Sequence, residues 1–137
     1  MKKPITQEDL MGCSVACVAF ALNKSYKSTK SLFDKPKDVS FRGYYCREIV
    51  KALKRGGLNY KFSKLTQKNK EVKKKLNNFG TIVFIKRNKK YPQGHYLVKT
   101  KRSWMNPWIN FSSINPAKSG FKKKLPGKPQ WIIYHIT

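Results

Sequence analysis

Residues 15–22 carry no polar side chain, so this run has no face to offer water. A helix apolar all round belongs in the middle of a domain, and so short a run cannot span a bilayer. The pattern predicts a buried helix beginning at Cys13 and ending near Asn23. A polar stretch follows from Lys24, with a short helix over 28–33 and a loop through Pro36 to Val39. From Gly43 the periodicity is helical. Cys46, Ile49, Val50 and Leu53 recur at i, i+3, i+4 and i+7, with Lys51, Lys54 and Arg55 outside and Gly56-Gly57 as the stop. Leu58, Tyr60 and Phe62 then alternate with polar residues as a short strand.

The second half reads as sheet. Residues 66–78 predict a surface helix capped by Thr66, with Val72, Leu76 and Phe79 turned inward. Gly80 opens a continuous apolar run at 81–85, which suits a central strand. Residues 87–94, with Pro92, form a turn. Residues 95–101 are the next antiparallel strand, and 104–108 a third, broken by Pro107. Residues 115–129, with three prolines, two glycines and a basic triplet, predict a long surface loop before a closing strand at 131–136. Helices followed by an antiparallel sheet make an α+β domain, and residues 1–137 suit one domain with one core. There are no internal repeats.

Charge adds a second theme. Thirty-one Lys and Arg face six Asp and Glu, for a formal net charge of +25. All six acids lie at or before Glu71, and fifteen basic residues follow it. So one-sided a field favours a polyanionic partner, either nucleic acid, an anionic membrane surface or an acidic protein; the plainer reading is a solvated lysine-rich surface. Lys73–Lys75 and Lys122–Lys124 read as solvated faces, or as phosphate contacts if the charge is functional. Three cysteines make an odd number for a disulfide framework. Neither cysteines nor histidines have metal-site spacing, so no metal or cofactor is expected. There is no transmembrane segment and no convincing signal peptide, which points to a cytoplasmic protein or one delivered by a specialised route.

The candidate chemistry starts at Cys13. At the amino end of a buried helix, unpaired amides and the macrodipole favour a thiolate, and the Gln7 side-chain amide is placed to stabilise an oxyanion. The plainer reading is a buried cysteine acting as a small hydrophobe. Cys17, one turn further, and Cys46, on the apolar face of its helix, read as inert core. His95 opens a strand directly after Gln93-Gly94, and Asn106-Pro107 follows on the next strand. A histidine at a strand start, an asparagine before proline and a glutamine near the terminus each have an ordinary structural reading alone. His135 reads as water-facing. Trp104, Trp108 and Phe111 read as core or rim packing, or as a substrate groove.

Gln7, Cys13 and the Ala16-Cys17 pair resemble the opening of the bacteriocin-processing cysteine peptidases, papain-like domains of peptide-exporting transporters. Gly12 stands where that family has an acid, and Ser14 where it has glycine. The helix ending in Gly-Gly-Leu, the strand-opening His95 and the Asn106-Pro107 step extend the likeness, with Asn106 replacing the family's usual aspartate. The resemblance implies a papain-like α+β fold with a buried nucleophile helix. It implies a peptidase with Cys13 as nucleophile, His95 as base, Asn106 orienting the imidazole, and Gln7 with the Cys13 amide binding the oxyanion. The expected partner is a peptide or protein substrate. The alternatives are an RNA-cleaving toxin domain on the same fold, or an inactive binder of an acidic protein such as an inhibitor.

Overall fold

A computed structural model describes residues 2–40 and 42–136. Four helices precede or interrupt a six-stranded antiparallel sheet, an α+β arrangement. The helices are α1 (Cys13–Leu22), α2 (Tyr26–Lys30), α3 (Cys46–Arg55) and α4 (Lys70–Lys74), with 3-10 turns at Pro36–Ser40 and Lys75–Asn77. The strands are β1 (Tyr60–Lys64), β2 (Ile82–Ile85), β3 (His95–Lys99), β4 (Trp104–Asn106), β5 (Gly120–Lys122) and β6 (Pro129–His135), in the order β1-β6-β2-β3-β4-β5. No helix among the described residues is long and apolar enough to cross a membrane.

The predicted central helix is α1. Residues 14–20 are all buried, and the helix packs on β3, α2 and α3. Asn23 ends it in the left-handed region (φ 58°), its N–H returning to the Ala19 and Phe20 carbonyls. Helix α3 shows the expected apolar face, with Ile49 and Leu53 fully buried and Cys46 and Val50 packed against the core. A capping box at Tyr45 and Glu48 starts it. Between helices and sheet lies the main core; Val83, Ile85, Tyr91, Leu97 and Trp104 form a second cluster.

Several expectations are corrected. The first short helix spans α2, whose N-cap Ser25 accepts the Ser28 N–H. The loop at Pro36 is a 3-10 turn. The helix over 66–78 shrinks to α4 and one 3-10 turn, because the cap is Asn69, whose side chain accepts the Val72 N–H, and not Thr66. Phe79 is 53% exposed, with the Lys2 ammonium over its ring. The basic tail loop contains β5, which pairs with β4 through Asn106↔Gly120. The closing strand, β6, sits between β1 and β2, which is why Ile132 and Ile133 are fully buried.

Gly12 shows how tightly the segment before α1 is held. A Cβ there would lie 1.9 Å from the Tyr26 hydroxyl, which donates to Asp9 Oδ2 at 2.7 Å. Lys30 closes an ion pair on the same carboxylate, and the Gly12 N–H donates to the Asp9 carbonyl at 3.0 Å. Any side chain at position 12 must displace this knot. Gly12→Ala is therefore expected to cost about 1–3 kcal/mol in urea unfolding. The cost should shrink when Tyr26→Phe is added, a coupling read from the double-mutant cycle.

Candidate active site

Cys13, His95 and Gln7 line one cavity of about 810 Å³, where the amino end of α1 meets β3. Asn106 lies behind His95, on the last residue of β4. The β3–β4 register (Val98↔Met105, Lys99↔Trp104) puts His95 and Asn106 on the same face of the sheet as near neighbours. His95 Nε2 and Asn106 Oδ1 are 2.7 Å apart. Both side chains are buried, at 4% and 2% exposure, so His95 is not the open strand-end residue the sequence suggests.

The direction of each hydrogen bond around Asn106 follows from a group that can only accept. The Trp108 carbonyl takes the single hydrogen of the Tyr91 hydroxyl at 2.8 Å. That hydroxyl must then accept from Asn106 Nδ2, at 3.0 Å. Asn106 Oδ1 is left facing His95 and also accepts the Trp108 N–H at 2.9 Å. An amide oxygen cannot donate, so His95 Nε2 carries the hydrogen and Nδ1 keeps the lone pair. The Tyr91 ring also lies flat on the imidazole, 4.1 Å between centroids and 7° between planes. The turn carrying both residues is itself pinned: Asn88 Oδ1 accepts the Tyr91 N–H at 2.7 Å, and Gly94 (φ 77°) donates to the Tyr91 carbonyl. Any Cβ on Gly94 would strike the Phe84 ring.

The cysteine end is less prepared than expected. The Cys13 sulfur is reached by the backbone amides of Tyr96, Ser14 and Cys13 itself, which favour thiolate, yet burial outweighs them and pushes the thiol up to about 11. Burial, opposed by the Asn106 hydrogen bond, pushes His95 down to about 4. Both groups are therefore neutral at pH 7, a thiol beside an imidazole and not the expected thiolate. They share the cavity without a direct hydrogen bond between them. Cys13 is half-buried, so the cleft gives water and ligand access to it.

Gln7 is buried and close by, yet both hydrogens of its amide are taken by the Asp9 and Leu10 carbonyls at 3.0 Å each. Its backbone N–H donates to the Pro107 carbonyl at 3.3 Å, tying the first segment to the end of β4. Its Oε1 is buried without a partner, as is Ser14 Oγ. No Gln7 donor is free for an oxyanion here. The unpaired amides of the first turn of α1 are the donors that remain.

Cys17 is fully buried in the core. Cys46 is half-buried, its sulfur 3.8 Å from the Tyr96 hydroxyl. Trp104 and Trp108 are buried packing residues, and His135 is exposed and meets the Tyr60 ring edge-on. Among the described residues no three of His, Cys, Asp and Glu gather as a metal cluster. Sequence reasoning missed Tyr91, whose turn position carries no periodic signal, and the knot of Asp9, Gly12 and Tyr26.

Two predictions rest on this geometry. Tyr91→Phe keeps the stacked ring but removes the hydroxyl that orders Asn106. Nitrogen NMR of His95 should then show a mixture of tautomers in place of the single Nε2–H form. The second concerns stability. A folded-state value near 4 against an ordinary 6.5 means that the unfolded chain binds this proton more readily. The contribution is complete above about pH 6.5 and is lost as pH falls towards 4, on the order of 3 kcal/mol. Urea melts at pH 7 and 4.5 should show that loss in the wild type and a smaller one in His95→Gln.

No protein-family model matches this chain, and no curated protein sequence matches it, so the reading of the site rests on its own geometry.

Proposed function

We propose that this chain is a papain-like cysteine hydrolase, resembling the bacteriocin-processing peptidases, that cleaves an amide bond in a peptide. The observation that carries the reading is the His95–Asn106 pair. A buried imidazole has its Nε2–H held at 2.7 Å, which leaves Nδ1 as its proton acceptor, and the side chain lines the same cavity as Cys13.

In the reaction, the Cys13 sulfur attacks the carbonyl carbon as its proton passes to His95 Nδ1. The neutral resting pair makes this a proton transfer coupled to attack, with the Asn106 oxygen stabilising the imidazolium as it forms. The carbonyl oxygen gains negative charge at the amino end of α1, where backbone amides and the helix dipole oppose it. Collapse of the tetrahedral intermediate breaks the C–N bond, and the departing amine takes the proton from His95. Water then attacks the thioester with His95 again as base, releasing the carboxylic acid and restoring the thiol. Gln7 serves this site by tying the 7–12 segment to Pro107, and its own donors stay with Asp9 and Leu10.

A mixed peptide pool incubated with wild type and variants tests the reading. Cys13→Ala should abolish cleavage, and His95→Gln should lower it by roughly a thousandfold or more. Because only neutral His95 accepts a proton, kcat/KM should fall as pH drops towards about 4 and stay level through pH 9. Asn106→Asp places a carboxylate on Nε2 and should move that acid limb upward. Cleavage that survives in Cys13→Ala would sink the proposal.

A further inference from the structure

Leading to Cys13 is a row of aromatic side chains set by strand register. Trp131 of β6 pairs with Phe84 of β2, and Phe84 with Tyr96 of β3. Phe62 of β1 extends the row, its ring 6.3 Å from Trp131. The row ends at Tyr96, which lines the same cavity as Cys13 and whose neighbour in the chain is His95. Its outer end is open: Phe62 is 43% exposed, and Tyr45 (61%) and Leu10 (62%) stand on the same cavity. Large apolar side chains left in water around one cleft mark a binding surface.

Charge narrows the occupant. No Asp or Glu lines the cavity, while three arginines do. Arg42 is committed to Asp38 and Glu48. Arg47 and Arg87 are exposed and make no ion pair among the described residues. A guanidinium matches a carboxylate with a two-pronged hydrogen bond. Resting on the hydrolase reading of the site, we propose that this wall is the substrate groove. Its ligand is an acidic peptide whose large apolar side chains lie on Phe62, Trp131 and Phe84 and whose carboxylates meet Arg47 and Arg87.

Single-stranded RNA would also satisfy arginines and aromatics, and the geometry argues against it. Neighbouring rings are tilted to each other by 52° (Phe62–Trp131) and 56° (Phe84–Tyr96), so the row is not one continuous flat platform for stacked bases. Leu10 and Met11 add aliphatic surface suited to side chains.

The test uses the full-length Cys13→Ala protein, so that binding is read without turnover. Fluorescence anisotropy compares a dodecapeptide of Glu, Leu and Phe with the same peptide carrying Gln or Lys for Glu, and with a twelve-nucleotide RNA. The acidic peptide should bind about tenfold or more tighter than its Gln form, with a salt dependence the Gln form lacks. Arg47→Gln with Arg87→Gln should abolish that preference, and Phe62→Ala should weaken acidic and neutral peptides alike. Equal binding of the Glu and Gln peptides, no effect of the arginine pair, or Phe62-dependent RNA binding tighter than any peptide would overturn the groove. The wild-type enzyme separates this from the hydrolase reading. Cleavage without preference for acidic sequences overturns the groove and keeps the hydrolase. Arginine-dependent binding of the acidic peptide, with no peptide cleaved, keeps the groove and overturns the hydrolase.

Discussion

A helix with no polar face is the constraint on which the rest of this structure depends. Helix α1 cannot cover itself, and a short apolar cylinder gains stability only when surrounded. Helices α2 and α3 cover one side and β3 the other, so the amino end of α1 emerges where the helices and sheet part. Cys13 therefore stands at the head of the cleft because of how its own helix is buried. The same packing makes the thiol hard to ionise: burial of the sulfur outweighs the dipole and amides that favour thiolate. Two buried oxygens without partners, Gln7 Oε1 and Ser14 Oγ, lie beside this cysteine in the chain or the cavity. Orphans of that kind cost about 1–3 kcal/mol each.

What was legible in the sequence divides along a physical line. Elements set by their own periodicity could be read directly: α1 from an unbroken apolar run, α3 from its i, i+3, i+4, i+7 face and Gly-Gly stop, β2 from continuous burial. His95 and Asn106 were legible because each opens or closes a strand, so a single register brings them together. Elements set by partners could not be read. Strand β5 lies in a Pro- and Gly-rich basic tail and exists because β4 offers it an edge. Helix α4 is short because Asn69 caps it later than Thr66 would. The ordering of Asn106 depends on the Tyr91 hydroxyl and a Trp108 carbonyl, a relation among three chain segments that no local pattern encodes. The spent donors of Gln7 are of the same kind, since residue identity is visible in sequence and the partner of each hydrogen is not.

The distribution of charge follows from the same architecture. Asp9, Asp34, Asp38, Glu48 and Glu71 each lie within salt-bridge distance of a lysine or arginine, and all belong to the helical part of the chain or to α4. There they hold loops: Asp9 fixes the segment before Cys13, and Glu48 with Asp38 clamps Arg42 across the start of α3. From β2 onward the chain carries no acid with which to neutralise its twelve cations. Their mutual repulsion is tolerable because these side chains are long and mostly exposed, so water and salt screen them. Basic residues exceed acids in both halves, sixteen to six up to Glu71 and fifteen to none after it, so the field is positive on either side of the cleft. An anionic ligand is attracted from both sides. It meets directional donors only where arginine stands beside apolar surface, since lysines on open strands attract without orienting. Attraction is therefore general over this protein, and the arginines of the cleft wall add direction to it.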